Sequence, residues 1–242
     1  MKFILLAAGK STRLYKKIKK NKCLLKVGKK TLIENTILAV QEAKILDLSI
    51  VVGFKAKKIK SHLKKYNKIK FIINKKYNSR EMLYSLILAL KKYNTNIIFG
   101  YSDVIISKKV LQKIIVLNKS NITIPILSNW KKIWKIRNKN PYKDAETLFV
   151  KKNMQLKSIG EKITNLNKIK YQFMGLIYIP KNKRNLVLSH YKKIKKKNNL
   201  HLTTFINNLV EKKITVDCIN TKDNWYEFDD YEDYKNYKKN YL

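Results

Sequence analysis

Phe3-Ile4-Leu5-Leu6-Ala7-Ala8-Gly9-Lys10-Ser11-Thr12-Arg13-Leu14 opens the chain, and Asn21-Lys22-Cys23-Leu24-Leu25 follows it. A short apolar run ends in small residues, then glycine, then a basic loop. This is the pattern of a buried strand that delivers its backbone to a turn able to approach a phosphate closely. Small side chains at Ala7, Ala8 and Gly9 leave room for a base or ribose against the main chain. Lys10, Arg13 and Lys22 supply positive charge for a triphosphate. Glycine turns of this kind also close ordinary strand–helix connections, so the remainder of the chain has to decide between the two readings.

Outward from that stretch, short apolar runs alternate with helical periodicity, as βαβ units do. Strands are predicted over 2–7, 48–53, 70–73, 96–100 and 122–127, and helices over 31–43, 55–66, 80–92 and 108–117. This first half, 1–127, reads as a doubly wound sheet that binds a nucleotide at the carboxyl ends of its strands. From Ser128 the pattern changes. An irregular stretch holding Trp130, Trp134, Arg137 and Pro141 is followed by short strands at 147–150, 156–159 and 172–179, read as an antiparallel insertion over the sheet. Helices at 181–195 and 202–212 and a strand at 215–218 lead to the tail. The expected organisation is one domain over 1–242, with 128–242 as the second, acceptor-binding half. The run Lys192–Lys197 reads as a solvated helix end.

Asp103 directly follows the strand Ile97-Ile98-Phe99-Gly100, through Tyr101-Ser102. A carboxylate there sits where a triphosphate would lie, although helix caps and turns also favour Asp. Near the other end, Trp225-Tyr226-Glu227-Phe228-Asp229 precedes a short acidic helix whose Asp230, Glu232 and Asp233 read as its negative first turn.

Together these segments resemble the nucleoside-triphosphate transferases of the sugar-nucleotide pyrophosphorylase superfamily. Leu6 to Leu14 is similar to the LAAGxGxRL signature, with Ser11 where the second Gly is usual. Lys22 to Leu25 is similar to the P-K-x-L motif, with Asn21 in place of Pro. Tyr101-Ser102-Asp103 and Trp225 to Asp229 resemble the two metal motifs. The segment Asn129-Trp130 to Arg137, Asn140-Pro141 and Asp144-Ala145-Glu146-Thr147-Leu148 resembles bacterial phosphocholine cytidylyltransferases and relatives in phosphonate and phosphoramidate pathways. Tyr84-Ser85-Leu86, Ile159-Gly160-Glu161-Lys162 and Gln172-Phe173-Met174-Gly175-Leu176 continue that likeness. Asn129 replaces the family's usual Asp, and Ser79-Arg80-Glu81-Met82 replaces a Thr-Asn pair.

The resemblance implies a Rossmann-like doubly wound mixed sheet with a small antiparallel insertion covering the active site. It implies Mg²⁺ held by Asp103 and Asp229, with Arg13 and Lys22 as further catalytic residues. It implies nucleotide contacts from Leu6, Ala7, Ala8, Gly9, Lys10, Ser11, Thr12, Arg13, Lys22, Ser85, Tyr101 and Ser102. The acceptor would meet Trp130, Trp134, Asp144, Glu146, Lys162, Gln172 and Glu227. Two aromatics beside Asp144 and Glu146 suit an ammonium-bearing head group, and Trp130 and Trp134 have an alternative reading as ordinary core aromatics. The expected reaction is CMP transfer from CTP to a small phosphorylated amine or amino acid, in the decoration of surface polysaccharide or phospholipid. The alternative is a hexose-1-phosphate nucleotidyltransferase.

The net charge is +39, from 55 Lys+Arg against 16 Asp+Glu. It raises a third possibility, a basic nucleic-acid-binding protein. The lysines are scattered rather than clustered, and Lys, Asn, Ile and Tyr crowd the whole chain as an AT-rich genome would encode. No specific nucleic-acid partner is therefore expected. Two distant cysteines and three histidines make neither a disulfide framework nor a ligand cluster, which fits a reducing cytoplasm. No run is long enough for a membrane span. Oligomeric state stays open.

Overall fold

The computed structural model describes residues 1–78, 82–117, 120–137, 139–195, 197 and 200–242. Its first half runs β1 (Lys2–Ala7), α1 (Thr12–Ile18), the small hairpin β2 (Lys26–Val27) and β3 (Lys30–Thr31), α2 (Leu32–Glu42), β4 (Asp47–Val52), α3 (Ala56–His62), β5 (Lys70–Ile73) and α4 (Met82–Lys92). Next come β6 (Ile97–Tyr101), β7 (Val104–Ile106), α5 (Lys108–Leu117) and β8 (Ile122–Leu127). The second half adds α6 (Trp130–Arg137), α7 (Pro141–Asp144), β9 (Glu146–Val150), β10 (Leu156–Lys162), β11 (Gln172–Phe173) and β12 (Leu176–Ile179). It ends with α8 (Arg184–Lys193), α9 (Leu202–Glu211), β13 (Val216–Thr221), β14 (Trp225–Glu227) and α10 (Tyr231–Tyr241).

The main sheet runs β5-β4-β1-β6-β12-β8, and β11 and β13 also pair with β8. Thr123 of β8 pairs with both Tyr178 of β12 and Asp217 of β13, so those two strands flank β8 on opposite sides. β1, β4, β5 and β6 run parallel, and β12 is antiparallel to β6 and β8. Alternate residues of β1 feed two cores. Phe3, Leu5 and Ala7 pack toward α2 and α5, whereas Ile4, Leu6 and Ala8 pack toward α4 and α9. Every residue of β1 is buried, as a strand covered on both faces must be. α2 starts at a reciprocal cap, in which Thr31 accepts from the Glu34 N–H and the Glu34 carboxylate accepts from the Thr31 N–H at 2.9 Å.

Two expectations are corrected. The stretch after Ser128 is not irregular: Trp130, Ile133, Trp134 and Arg137 are the buried face of α6, at the i, i+3, i+4, i+7 spacing of a helix. The segment 172–179 does not belong to the antiparallel insertion, which consists of β9 and β10 alone. It breaks into β11 and β12, both in the main sheet. Gly175 makes the break: its φ of +71° suits glycine, and its carbonyl accepts the Tyr101 N–H at 3.0 Å. A Cβ there would lie 2.9 Å from the Tyr101 ring. The Lys192–Lys197 run begins in the last turn of α8, and Lys196 lies outside the described residues. So do Ser79, Arg80 and Glu81. No helix among the described residues is long and apolar enough to cross a membrane.

Candidate active site

β1, β4 and β6 end together, with Ala7 opposite Val52 and Leu6 opposite Tyr101. A cavity of about 500 Å³ opens at these carboxyl ends. Leu6, Ala7, Gly9, Ser11, Thr12, Arg13 and Lys22 line one side of it. Ser11 holds the left-handed conformation, φ 54° and ψ 42°, which glycine takes freely and serine takes at about 1–2 kcal/mol. Asn21 sits at φ −61° and ψ 137°, within proline's own range, and donates its side-chain amide to the Phe54 carbonyl at 3.1 Å. A hydrogen bond thus does at Asn21 what ring geometry does for proline, and it aims Lys22 into the cavity.

A tight turn after β6 carries Ser102 and Asp103 and leads into β7. β14 pairs antiparallel with β7, placing Glu227 opposite Val104, and Phe228 N–H donates to the Asp103 carbonyl at 3.0 Å. That pairing brings the far end of the chain back to the turn. One oxygen from each of Asp103, Glu227 and Asp229 lies within 4.8 Å of the others. Lys22 is a buried residue, 8% exposed, and its ammonium donates to Asp103 Oδ2 at 2.7 Å and to Asp229 Oδ1 at 3.4 Å. Arg13, largely exposed, donates to the same Asp229 oxygen at 3.2 Å.

Burial opposes the charge on Lys22, but Asp103 and Asp229 outweigh it and hold the ammonium pKa above its usual value. Burial likewise opposes the charge on Asp229, yet Lys22, Arg13 and Arg137 keep its pKa below the ordinary carboxylate range. Glu227 goes the other way. Burial, then the Asp229 charge, raise it well above the usual value despite Arg137. Burial and the nearby Asp103 charge push the Cys23 thiol up to about 12, so it is no nucleophile at neutral pH.

Three carboxylates this close suit a hard divalent cation that takes oxygen ligands. Asp103 Oδ1 is buried and has no hydrogen-bond partner among the described residues, which leaves a lone pair free for such an ion. The residues present therefore fit a metal.

Across the cavity stand Trp134, Asp144, Glu146, Thr147, Gln172, His201 and Thr203. Trp134 is nearly buried. Its ring stacks on Trp225 at 5.8 Å and 8° between planes, and the Arg137 guanidinium lies over it at 4.7 Å. Trp130, 1% exposed, packs edge-on against Trp134 inside the core and does not line the cavity. The pair does not form an open two-walled cage, because a cation and a second ring already cover the indole that reaches the cavity. Gln172 turns its amide onto the Glu146 backbone, accepting from its N–H at 3.3 Å and donating to its carbonyl. Lys162 lies exposed on β10 and Lys10 is exposed; neither lines the cavity. Nor do Ala8, whose carbonyl accepts the Phe54 N–H, and Ser85, which accepts from the buried Asn74 amide. Tyr101, Ser102, Glu227 and Asp229 do line it.

No sequence motif assigns Arg137 a role, though it lies on the i, i+7 register of Trp130. In sequence Asp233 reads as a helix-start charge alone. Asp233 does cap α10, in a reciprocal box with Asp230, but it also holds Arg137. His201 and Thr203 come from the start of α9, and no local motif marks them.

Residues 3–129 match the MobA-like NTP transferase domain, which covers the Gly9–Arg13 loop, Lys22 and Asp103. The chain belongs to the MobA-like NTP transferase family. As a member of that family it is a nucleotidyltransferase. This transferase is 29% identical, over 95% of its own length and 96% of the other's, to the CTP:phosphoglutamine cytidylyltransferase of Campylobacter jejuni. Its fold is that of the CTP:phosphocholine cytidylyltransferase from Streptococcus pneumoniae, with a TM-score of 0.77 and 21% identity over 98% and 97% of the two chains. It also matches the inositol-1-phosphate CTP transferase from T. maritima, with a TM-score of 0.80 and 17% identity over 98% and 95%. The mixed, mostly parallel sheet expected from the sequence is thus the fold observed.

Proposed function

We propose that the protein is a Mg²⁺-dependent cytidylyltransferase that transfers CMP from CTP to a small phosphorylated amine or amino acid. The products are a CDP-linked acceptor and pyrophosphate. The observation that carries the reading is the meeting of Lys22 with Asp103 and Asp229 beneath the Gly9–Arg13 loop, on a cavity whose far wall bears Asp144 and Glu146. The likeness to the phosphoglutamine enzyme over nearly the whole of both chains supports the choice of nucleotide and acceptor class.

In this reading the triphosphate lies along the Gly9–Arg13 loop, with Arg13 and Lys22 neutralising its charge. The acceptor's phosphoryl oxygen attacks the α-phosphorus in line. A new P–O bond forms as the bond to the β-phosphate oxygen breaks, and the electron pair leaves with pyrophosphate. No protein nucleophile takes part, so the chain contributes by holding two anions together and offsetting their repulsion. Bound at Asp103 and Asp229, Mg²⁺ would neutralise phosphate charge and orient the reactants. On the acceptor side the carboxylates of Asp144 and Glu146 hold the ammonium. The Trp134 ring, already under Arg137, contributes shape rather than a cation–π face.

The test is an acceptor screen with CTP, reading pyrophosphate release. Phosphorylated amines and amino acids are compared with glucose-1-phosphate supplied with CTP, UTP or dTTP. Turnover of a phosphorylated amine or amino acid is expected. Turnover of glucose-1-phosphate alone would overturn the reading in favour of a hexose-1-phosphate enzyme.

A further inference from the structure

Arg137 has no solvent exposure, and four carboxylates converge on it. Its Nε donates to Asp233 Oδ1 at 3.0 Å. Nη1 lies 3.3 Å from Asp144 Oδ2 and donates to Glu227 Oε2 at 3.4 Å. Nη2 donates to Asp229 Oδ2 and Asp233 Oδ2, each at 3.4 Å. The guanidinium carbon also lies over the Trp134 ring, 4.7 Å from its centroid.

These partners belong to different parts of the site. Glu227 and Asp229 complete the trio with Asp103, Asp144 lies on the acceptor wall, and Asp233 is locked into the first turn of α10. Asp229 is divided among three cations. Its Oδ1 meets Lys22 and Arg13, whereas its Oδ2 meets Arg137. Among the described residues, Arg137 is the one cation within ion-pair distance of Glu227.

We propose that Arg137 is a positioning residue that sets the rotation of the Asp229 and Glu227 carboxylates and ties them to Asp144, joining the metal trio and the acceptor wall in one frame. The proposal rests on reading Asp103, Glu227 and Asp229 as a cation site. A planar fork with fixed donors can hold several carboxylates at defined angles, which a single ammonium cannot. By taking Oδ2 of Asp229 it leaves Oδ1 turned toward Lys22 and the cavity. Anchoring through Asp233 to the start of α10 keeps the frame rigid, because the Asp233 carboxylate also accepts the backbone N–H groups of Asp229 and Asp230.

The experiment titrates Mn²⁺ into nucleotide-free protein, read by electron paramagnetic resonance, and measures acceptor KM and the thermal midpoint in parallel. Wild type is compared with Arg137→Lys, which keeps the charge and loses the fork, and with Asp233→Asn, which loosens the anchor. Arg137→Lys is expected to weaken Mn²⁺ binding about tenfold and raise acceptor KM, and Asp233→Asn to move both less in the same direction. A lowered midpoint with wild-type Mn²⁺ affinity and acceptor KM in Arg137→Lys would reduce Arg137 to a structural role. Should Arg137→Lys fail to fold, unchanged Mn²⁺ affinity in Asp233→Asn overturns the proposal. Absence of Mn²⁺ binding by wild type overturns it together with the cation-site reading, and so is told apart from the first failure.

Discussion

The backbone N–H of Phe228 donates to the Asp103 carbonyl at 3.0 Å. This bond continues the β7–β14 ladder one step past Glu227↔Val104 and sets Asp229 beside Asp103. Two carboxylates from opposite halves of the chain then share the Lys22 ammonium. Removing either should spare the fold and stop the chemistry. Asp103→Ala and Asp229→Ala are expected to lower kcat about 10²–10³-fold, a loss of about 3–4 kcal/mol by analogy with removal of an oxyanion donor. Pyrophosphate release and the thermal midpoint, measured side by side, check this. Wild-type kcat in Asp103→Ala would take that residue out of the reaction.

Two glycines should separate folding from nucleotide binding. A Cβ on Gly9 meets nothing within 4 Å, so Gly9→Ala should leave the thermal midpoint unchanged while raising KM for CTP, since the nucleotide needs that space. A Cβ on Gly53 would lie 2.7 Å from Tyr77 Cβ and 2.9 Å from the Ala8 carbonyl. Gly53→Ala should therefore cost about 1–3 kcal/mol of stability. An unchanged KM in Gly9→Ala would show that nucleotide does not approach the loop closely.

CTP should be preferred over UTP. A site that hydrogen-bonds a base edge rejects the other base because its own polar groups are left unpaired. Comparison of kcat/KM for the two nucleotides is the measurement, and equal values would point to the hexose-phosphate alternative.

The covered face of Trp134 has a consequence for acceptors. With Arg137 and Trp225 against that ring, an amine must be held by carboxylates that accept N–H bonds. Stepwise N-methylation from phosphoethanolamine to phosphocholine should lower kcat/KM by about tenfold or more, the loss of one hydrogen bond to a charged group. A rise along the series would mean that an aromatic cage is present after all.

Glu34 supplies a pH test remote from the site. Burial opposes its charge, but bonds from Lys65 and Thr31 lower its pKa from 4.5 to about 2. A depressed pKa stabilises the fold above the unfolded value and ceases to do so as pH falls through the folded one. The midpoint of wild type should exceed that of Glu34→Gln above pH 4.5, and the gap should close by about pH 2. A gap that stays constant over that range would mean Glu34 is not ionised in the fold.

β1, the glycine loop and the sheet that follows are legible in the residues alone, because each rests on local signals. These are continuous apolar runs, a small-residue turn and helical spacing within one element. Asp103 is marked too, because it stands just beyond the end of a predicted strand, whereas Asp229 is marked only by the resemblance of Trp225 to Asp229 to a metal motif. Helix α6 was present in the spacing of Trp130, Ile133, Trp134 and Arg137. It was masked by the lysines on its exposed face and by a start that lacks an acidic first turn. That Gln172–Ile179 joins the main sheet emerges from the assembled fold, because pairing partners depend on the whole stack of strands. The contacts of Trp134 and Arg137 emerge there too. An indole reads alike in a cage or under a guanidinium, and an arginine reads as surface charge until Asp144, Glu227, Asp229 and Asp233 are brought around it. Those carboxylates come from two separate segments, and the β7–β14 pairing and the cap of α10, rather than sequence neighbourhood, set their distances.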